Sequence, residues 1–389
     1  MDTSMDLQLL VKALPTLRTD RNWNPELDMK VRCRLAARWC RRWLGEIPLA
    51  EERAVLERLH RYLLEVAQRI DSVGARTART AVLNALHRAP DAIYRNYQPV
   101  MEHLMPSRLE WSPESSVLLV SKQPGPVELR TGIAFCDTRT LVYTSRCGHC
   151  ISFLRCYSHP TATSCTGHRS AGHRQESDRW YQQGNQVHNA GDELAPLLQA
   201  AGMWRPVWGT PNHEVEGLVQ VAITNVFRLP VQPNGNGQSD TDHAGESPDP
   251  HSLSGAPIWL LALEALFVAP VATVALGYDA TLAIQKLSTG ANIHFATTPI
   301  AFCPPFGYVI PAYQPVQLVR AENEVQRALI RESVKNALRK AANIARQGSQ
   351  HPYATARDLF GIGEYQRAPS EAVREVGAAG AAVSSAEVD

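Results

Sequence analysis

The sequence predicts an α+β fold: a helical N-terminal region, a β-rich central body with an inserted zinc-knuckle loop, and a long basic C-terminal helix. Three observations carry that reading. Residues 1–105 place apolar side chains at helical spacing between well-formed helix starts and stops. Beyond Pro106 the pattern changes to short β-type runs punctuated densely by Pro and Gly. Residues 319–347 then return to an unbroken helical pattern, and 348–389 read as a flexible tail, rich in Gly, Ala and Ser among acids from about Ala368.

The first helical pattern begins at Leu7, Leu10 and Val11 and is stopped by Pro15. A long helix starts at Asn24 and Pro25, a capping side chain followed by a residue with φ already fixed for the first turn. It runs to about Leu44, where Gly45 can end it. Pro48, Glu51 and Glu52 open the next, which continues to about Ile70 with Val55, Leu56, Leu59 and Leu63 on one face. Shorter patterns cover 76–88 and 90–105. Short connections between them predict antiparallel packing in a bundle.

In the central body, 106–318, β-type runs occupy 117–121, 127–135, 140–143, 217–229, 281–287 and 292–302, which predicts a mainly antiparallel sheet. Residues 256–278 form the longest apolar run. Glu264 inside it, Pro270 and the lack of basic flanks argue against a membrane span. They predict a buried helix or strand, a turn at Ala269-Pro270, then a buried strand. Residues 232–256 have almost no large apolar side chain and read as a long polar loop.

Composition bounds the function only loosely. At 44% hydrophobic and 20% charged, the chain can bury a large core, and a net charge of +1 does not by itself point to a polyanion. The type of positive charge is more informative: only 6 of the 39 basic residues are Lys, leaving 33 Arg, the residue that pairs bidentately with phosphate and carboxylate. A G+C-rich coding sequence gives the same bias. The first ten residues, MDTSMDLQLL, are acidic where a secretion signal is basic, so an intracellular protein is expected.

Five of the eight Cys (136, 147, 150, 156 and 165) fall within thirty residues. Cys147-Gly-His-Cys150 and Cys165-Thr-Gly-His168 make two short knuckles with fourteen residues between them. Ligand pairs on tight turns are how a structural zinc closes its tetrahedron, so zinc bound by Cys147, Cys150, Cys165 and His168 is the expected cofactor. Cys156, His159 and His173 compete for the second pair. The nearest following acids, Glu176 and Asp178, supply no obvious general base for a catalytic zinc.

The stretch YTSRCGHCISFLRCY, residues 143–157, also resembles the active-site segment of thioredoxin-like proteins. The resemblance implies a low-pKa thiolate at Cys147 and thiol–disulfide exchange with Cys150, with Thr210-Pro211 supplying the facing loop. It covers about a dozen residues. Arg146 replaces the usual aromatic residue, and Pro160 stops the helix that should follow.

Two helices carry basic faces. In 30–43, KVRCRLAARWCRRW, six residues are positive and none acidic, with Arg34, Arg38, Arg41 and Arg42 opposite an apolar face of Val31, Leu35, Trp39 and Trp43. In the C-terminal helix, Arg327, Arg331, Lys335 and Arg339 repeat every fourth residue, a stripe about eighteen ångströms long. Val325, Leu329, Val334, Leu338 and Ala341 lie on its other side. Such arrays can track phosphates or simply face solvent.

No phosphate-binding Gly loop, nucleophile elbow or HExxH pair occurs. His213, Glu214 and Glu216 read as an exposed turn. These observations together predict a non-enzymatic, zinc-stabilised structural or interaction protein that contacts nucleic acid, RNA or DNA, through its basic helices. Protein partners or self-assembly are expected, of the kind a viral capsid or shell component (virion protein) shows, and a membrane is not. The alternative is a thiol–disulfide oxidoreductase using CGHC.

Overall fold

The computed structural model describes residues 25–47, 49–95, 106–124, 128, 133–137, 190–208, 217–229, 253, 256–287, 301–303 and 305–349. Three helices open this part: α1 (Pro25–Trp43), α2 (Ala50–Val73) and α3 (Ala75–Ile93). Gly74, at φ 80°, donates its N–H to Ile70 O and lets α3 begin at once, a backbone geometry that other residues resist. The expected break at 88–90 is absent. Pro90 sits in the last turn of α3, where its missing N–H removes only one ladder bond.

The β part departs from expectation. Six described strands, β1 (Ser115–Ser121), β2 (Met203–Trp204), β3 (Val219–Asn225), β4 (Ala272–Leu276), β5 (Ala301–Phe302) and β6 (Tyr308–Ala312), form one sheet in the order β2-β3-β1-β4-β6-β5. All neighbours are parallel except β5 and β6. The mixture of helix and strand was anticipated, but the antiparallel body was not correct. Its cause is visible in β1 and β4, where Val117 to Val120 and Ala272 to Leu276 are all buried. Strands covered by helices on both faces read as continuous apolar runs, without the alternation of a half-exposed sheet.

Helices cover both faces. One core gathers Leu118, Val120 and Ala222 with α5 (Ile258–Val268), α6 (Tyr278–Leu287) and, outside them, α1 to α3. The other gathers Val117, Leu119, Val221, Ile223 and Val274 with α4 (Ala190–Ala200) and α8 (Glu324–Ser349). Segment 256–278 is therefore α5, a left-handed turn at Ala269 and β4, as the sequence indicated. No helix of the described residues is long and apolar enough to cross a membrane.

Residues 281–287, expected as strand, belong to α6. Asp279 lies in its first turn, and Ala280, Ala283, Ile284 and Leu287 bury one helical face. Of 217–229 only β3 is strand, and of 292–302 the described strand is β5. In 127–135 the described end, Ala134–Phe135, is a turn; 140–143 lie outside the described residues. The single C-terminal helix is divided at Ala321: α7 (Val316–Arg320) stops, and Asn323 Oδ1 accepts the Gln326 N–H at 2.8 Å to start α8.

The N-terminal helices are tied to α5 by polar contacts as well as by the shared core. Arg79 donates to Phe267 O at 2.7 Å and Val268 O at 2.5 Å, and Arg32 to Leu266 O at 2.8 Å. These are carbonyls that the end of α5 leaves without intrahelical partners. Glu52 accepts the Trp259 indole N–H at 2.8 Å at the start of the same helix.

Candidate functional site

In a doubly wound parallel sheet, ligands bind beyond the carboxyl ends of the strands, where connections diverge to opposite sides. Here that point is β1. Its neighbour β3 lies on one side and β4 on the other, and the chain crosses from β3 to β4 through α5. Register aligns the strand ends into one row: Asn225 opposite Ser121, Ser121 opposite Leu276, and Leu276 opposite Ala312.

Polar residues follow each end of that row. After β1 come Lys122, Gln123 and Pro124, whose backbone is pinned to the β3 loop by Val226 N–H to Ser121 O and Phe227 N–H to Lys122 O, both 2.8 Å. After β4, Gly277 turns the chain at φ 91° into α6 and donates its N–H to Ala312 O at 2.7 Å. A Cβ at Gly277 would lie 3.3 Å from Gln314 Cβ, so the glycine also admits the Gln314 side chain. Gln314 Nε2 reaches across the row to Ser121 Oγ at 3.3 Å, and Lys122 Nζ pairs with Asp279 Oδ2 at 3.1 Å. Three loops are thereby fixed to one another.

Asn225 is the most constrained member. It is fully buried, and its Nδ2 donates to Glu128 Oε1 at 2.5 Å and to Ser107 Oγ at 2.8 Å. Ser107 Oγ in turn donates to Glu128 Oε1 at 2.7 Å. The amide is therefore held in one orientation, with Oδ1 buried and without a hydrogen-bond donor among the described residues. Such an atom costs about 1–3 kcal/mol unless something supplies a donor.

Beneath the row, Arg228 and Glu264 form a fully buried pair at 2.7 Å, with Thr224 Oγ1 donating to the same carboxylate oxygen at 2.7 Å. Burial raises the Glu264 pKa against the opposing pull of Arg228. The pair anchors the loop after β3 to α5, and so fixes the continuation of the chain past Asn225.

A profile of the uracil DNA glycosylase superfamily matches residues 110–340, which contain the whole sheet. The chain belongs to the uracil DNA glycosylase superfamily. No curated protein matches it. Membership overturns the expectation of a non-enzymatic zinc-stabilised structural protein or capsid component, and with it the thiol–disulfide alternative. The parallel sheet within the matched region had been expected as antiparallel, whereas the match does not bear on zinc at Cys147, Cys150, Cys165 and His168. The expected nucleic-acid partner is supported at the level of DNA, which the superfamily implies.

None of the residues singled out from the sequence is among those described on this row. Cys147, Cys150, Cys165 and His168, with Cys156, His159 and His173, are outside the described residues. Among the described residues no group of His, Cys, Asp and Glu is arranged to hold a metal. Cys33 and Cys40 are core thiols, each pushed up to about 12 by burial.

The two basic helices lie on opposite faces of the sheet and do not converge. Arg34, Arg38 and Arg41 are exposed on α1, whereas Arg42 is half-buried with Glu46 at 3.7 Å. On α8, Arg327 pairs with Glu324, Arg331 with Glu193 at 3.1 Å, and Lys335 with Glu332 at 2.9 Å; Arg339 is exposed. Much of that stripe is thus locally neutralised. Val334, Leu338 and Ala341 pack as expected, but Val325 and Leu329 are 73% and 65% exposed.

The row itself was missed. Its signal was present: each of four apolar runs ends in a polar or turn cluster, Ser121-Lys-Gln-Pro, Thr224-Asn, Gly277-Tyr-Asp and Tyr313-Gln-Pro. In an antiparallel reading these become scattered hairpin turns. Only parallel strands bring all four to one edge.

Proposed function

We propose that this superfamily member excises a uracil-type base from DNA by hydrolysing its N-glycosidic bond at the carboxyl edge of the sheet. The observation that carries the reading is Asn225: a buried amide held in one orientation whose oxygen lacks a donor among the described residues, at the centre of the region the superfamily profile matches. A base reached by an enzyme must leave the helical stack and present its pairing edge to such groups. Uracil offers an N3–H donor flanked by two carbonyls. Cytosine has an acceptor at that ring position.

Scission of the C1′–N1 bond places negative charge on the departing base and positive charge on the sugar. Lys122 and the Gln314 amide are donors on the row that can meet the first, a contribution that preorganised donors make best. Asp279, paired with Lys122 at 3.1 Å, is the carboxylate on the row that can face the second or orient water.

The test uses the full chain with an oligodeoxynucleotide containing one deoxyuridine, the abasic product being revealed by alkaline strand scission. Wild type should release uracil, and Asn225→Ala should lower kcat/KM by about 10²–10³-fold, the usual cost of losing a preorganised hydrogen-bonding group. No product from either single strand or duplex with protein in excess sinks the proposal.

A further inference from the structure

Two aromatic side chains on the same rim have no part in the chemistry above. Tyr278 and Tyr313 are 40% and 41% exposed. They are the only exposed aromatic residues among those whose side chains are described, the others being buried or half-buried. Their positions are not scattered. Tyr278 follows β4 and Tyr313 follows β6, and these two strands are paired up to Leu276 and Ala312. The Gly277 N–H to Ala312 O bond, 2.7 Å, joins the backbone from which both rings leave.

Their surroundings on the rim are polar: Lys122, Gln123, Asp279 and Gln314. Burial and the neighbouring Asp279 both raise the Tyr278 phenol, so that ring stays neutral where DNA is handled and adds no charge to oppose phosphate. Rings among polar and cationic groups suit nucleobases, whose faces stack while their edges remain hydrated. An aliphatic protein partner would gain little from such a rim. In a duplex the base faces are already stacked, so only an unpaired strand can use the rings.

We infer that Tyr278 and Tyr313 form a stacking platform for bases of single-stranded DNA flanking the excised nucleotide. The choice of DNA as the polymer rests on the glycosylase reading; the platform itself is tested without uracil.

The probe is a labelled, uracil-free oligothymidylate, alone or annealed to its complement, titrated with the full chain and followed by fluorescence anisotropy. Wild type should bind the single strand more tightly than the duplex. Tyr278→Ala and Tyr313→Ala should each weaken single-strand binding about fivefold or more, with little change for duplex. Tyr278→Phe and Tyr313→Phe keep the ring and should bind as wild type does. If an alanine variant unfolds, the corresponding leucine variant carries the same expected loss.

Alanine or leucine variants that bind single strands as tightly as wild type overturn the inference, as do phenylalanine variants that fail alongside them. The two proposals fail separately. Tyrosine-dependent binding without uracil release removes the excision reading and keeps the platform. Uracil release with binding indifferent to both rings removes the platform alone.

Discussion

Among the described residues, two buried Arg–Glu pairs are satisfied to different degrees. Arg205 grips Glu110 bidentately, Nε to Oε1 at 3.1 Å and Nη2 to Oε2 at 2.7 Å. It also donates to Phe135 O at 2.8 Å and to Ala134 O, lies 3.6 Å from Asp137, and packs 5.8 Å from the Trp208 ring centre. Although burial opposes its charge, Glu110 and Asp137 raise its pKa. Arg228 is equally buried, yet its Nε and the Glu264 Oε1 are without partners among the described residues. The first pair staples three chain segments together. The second holds the loop after β3 to α5 beside the row of strand ends, with fewer of its polar atoms satisfied.

The largest expected effect breaks the satisfied pair. Arg205→Ala leaves Glu110 and Asp137 buried without their cation, and should lower unfolding free energy by about 3–5 kcal/mol in urea titrations. A loss under about 1 kcal/mol would show the staple to be ornamental. Arg228→Ala should cost less, about 1–3 kcal/mol, because Glu264, with its pKa already raised, can accept a proton once alone.

A sharper contrast comes from replacing the second pair outright. Arg228→Met with Glu264→Leu should keep stability within about 1 kcal/mol of wild type, since a buried ion pair is often no better than apolar packing. The same double variant should slow uracil release by loosening the loop after Asn225. Normal release, measured by abasic-site formation, would confine the pair to a structural role.

The smallest effect concerns Glu52. Burial raises its pKa in the folded state, outweighing the Trp259 hydrogen bond that lowers it. The folded protein therefore holds this proton more tightly than the unfolded chain, and that contribution is lost as pH rises through the folded pKa. Glu52→Gln should flatten the fall in stability above pH 4.5, the ordinary value, as read from thermal midpoints across pH. An unchanged slope would place the source elsewhere.

The helical half of the molecule was largely legible. Asn24 with Pro25, the acids after Pro48 and the four-residue spacing of Val55, Leu59 and Leu63 act within a few turns, and local signals suffice for helices whose face is set by period. The segment around Ala269-Pro270 was equally readable, because a long apolar run broken by proline has few folded solutions. The strand expected at 281–287 failed because β-branched Thr281 and Ile284 favour a strand locally; burial of one helical face by packing against the sheet overrides them.

The candidate site was legible only as fragments. Ser121, Asn225, Gly277 and Gln314 stand far apart in the chain, and nothing local distinguishes a strand end at an active edge from an ordinary turn. The Cys/His loop and the basic stripes were conspicuous because their signals are short-range, which is no measure of their role. Arg327 and Lys335 illustrate this, since each pairs with a carboxylate three residues away on its own helix.

By itself, then, the sequence determined where the first two described helices begin, which segments are apolar enough to be buried, and that helix and sheet share the fold. Tertiary structure alone decided that the strands run parallel, because the direction of pairing depends on which helices cover each face. Parallel pairing in turn gathers Asn225, Ser121, Gly277 and Gln314 at one edge. Hydrogen-bond register between distant segments, not local propensity, builds that edge.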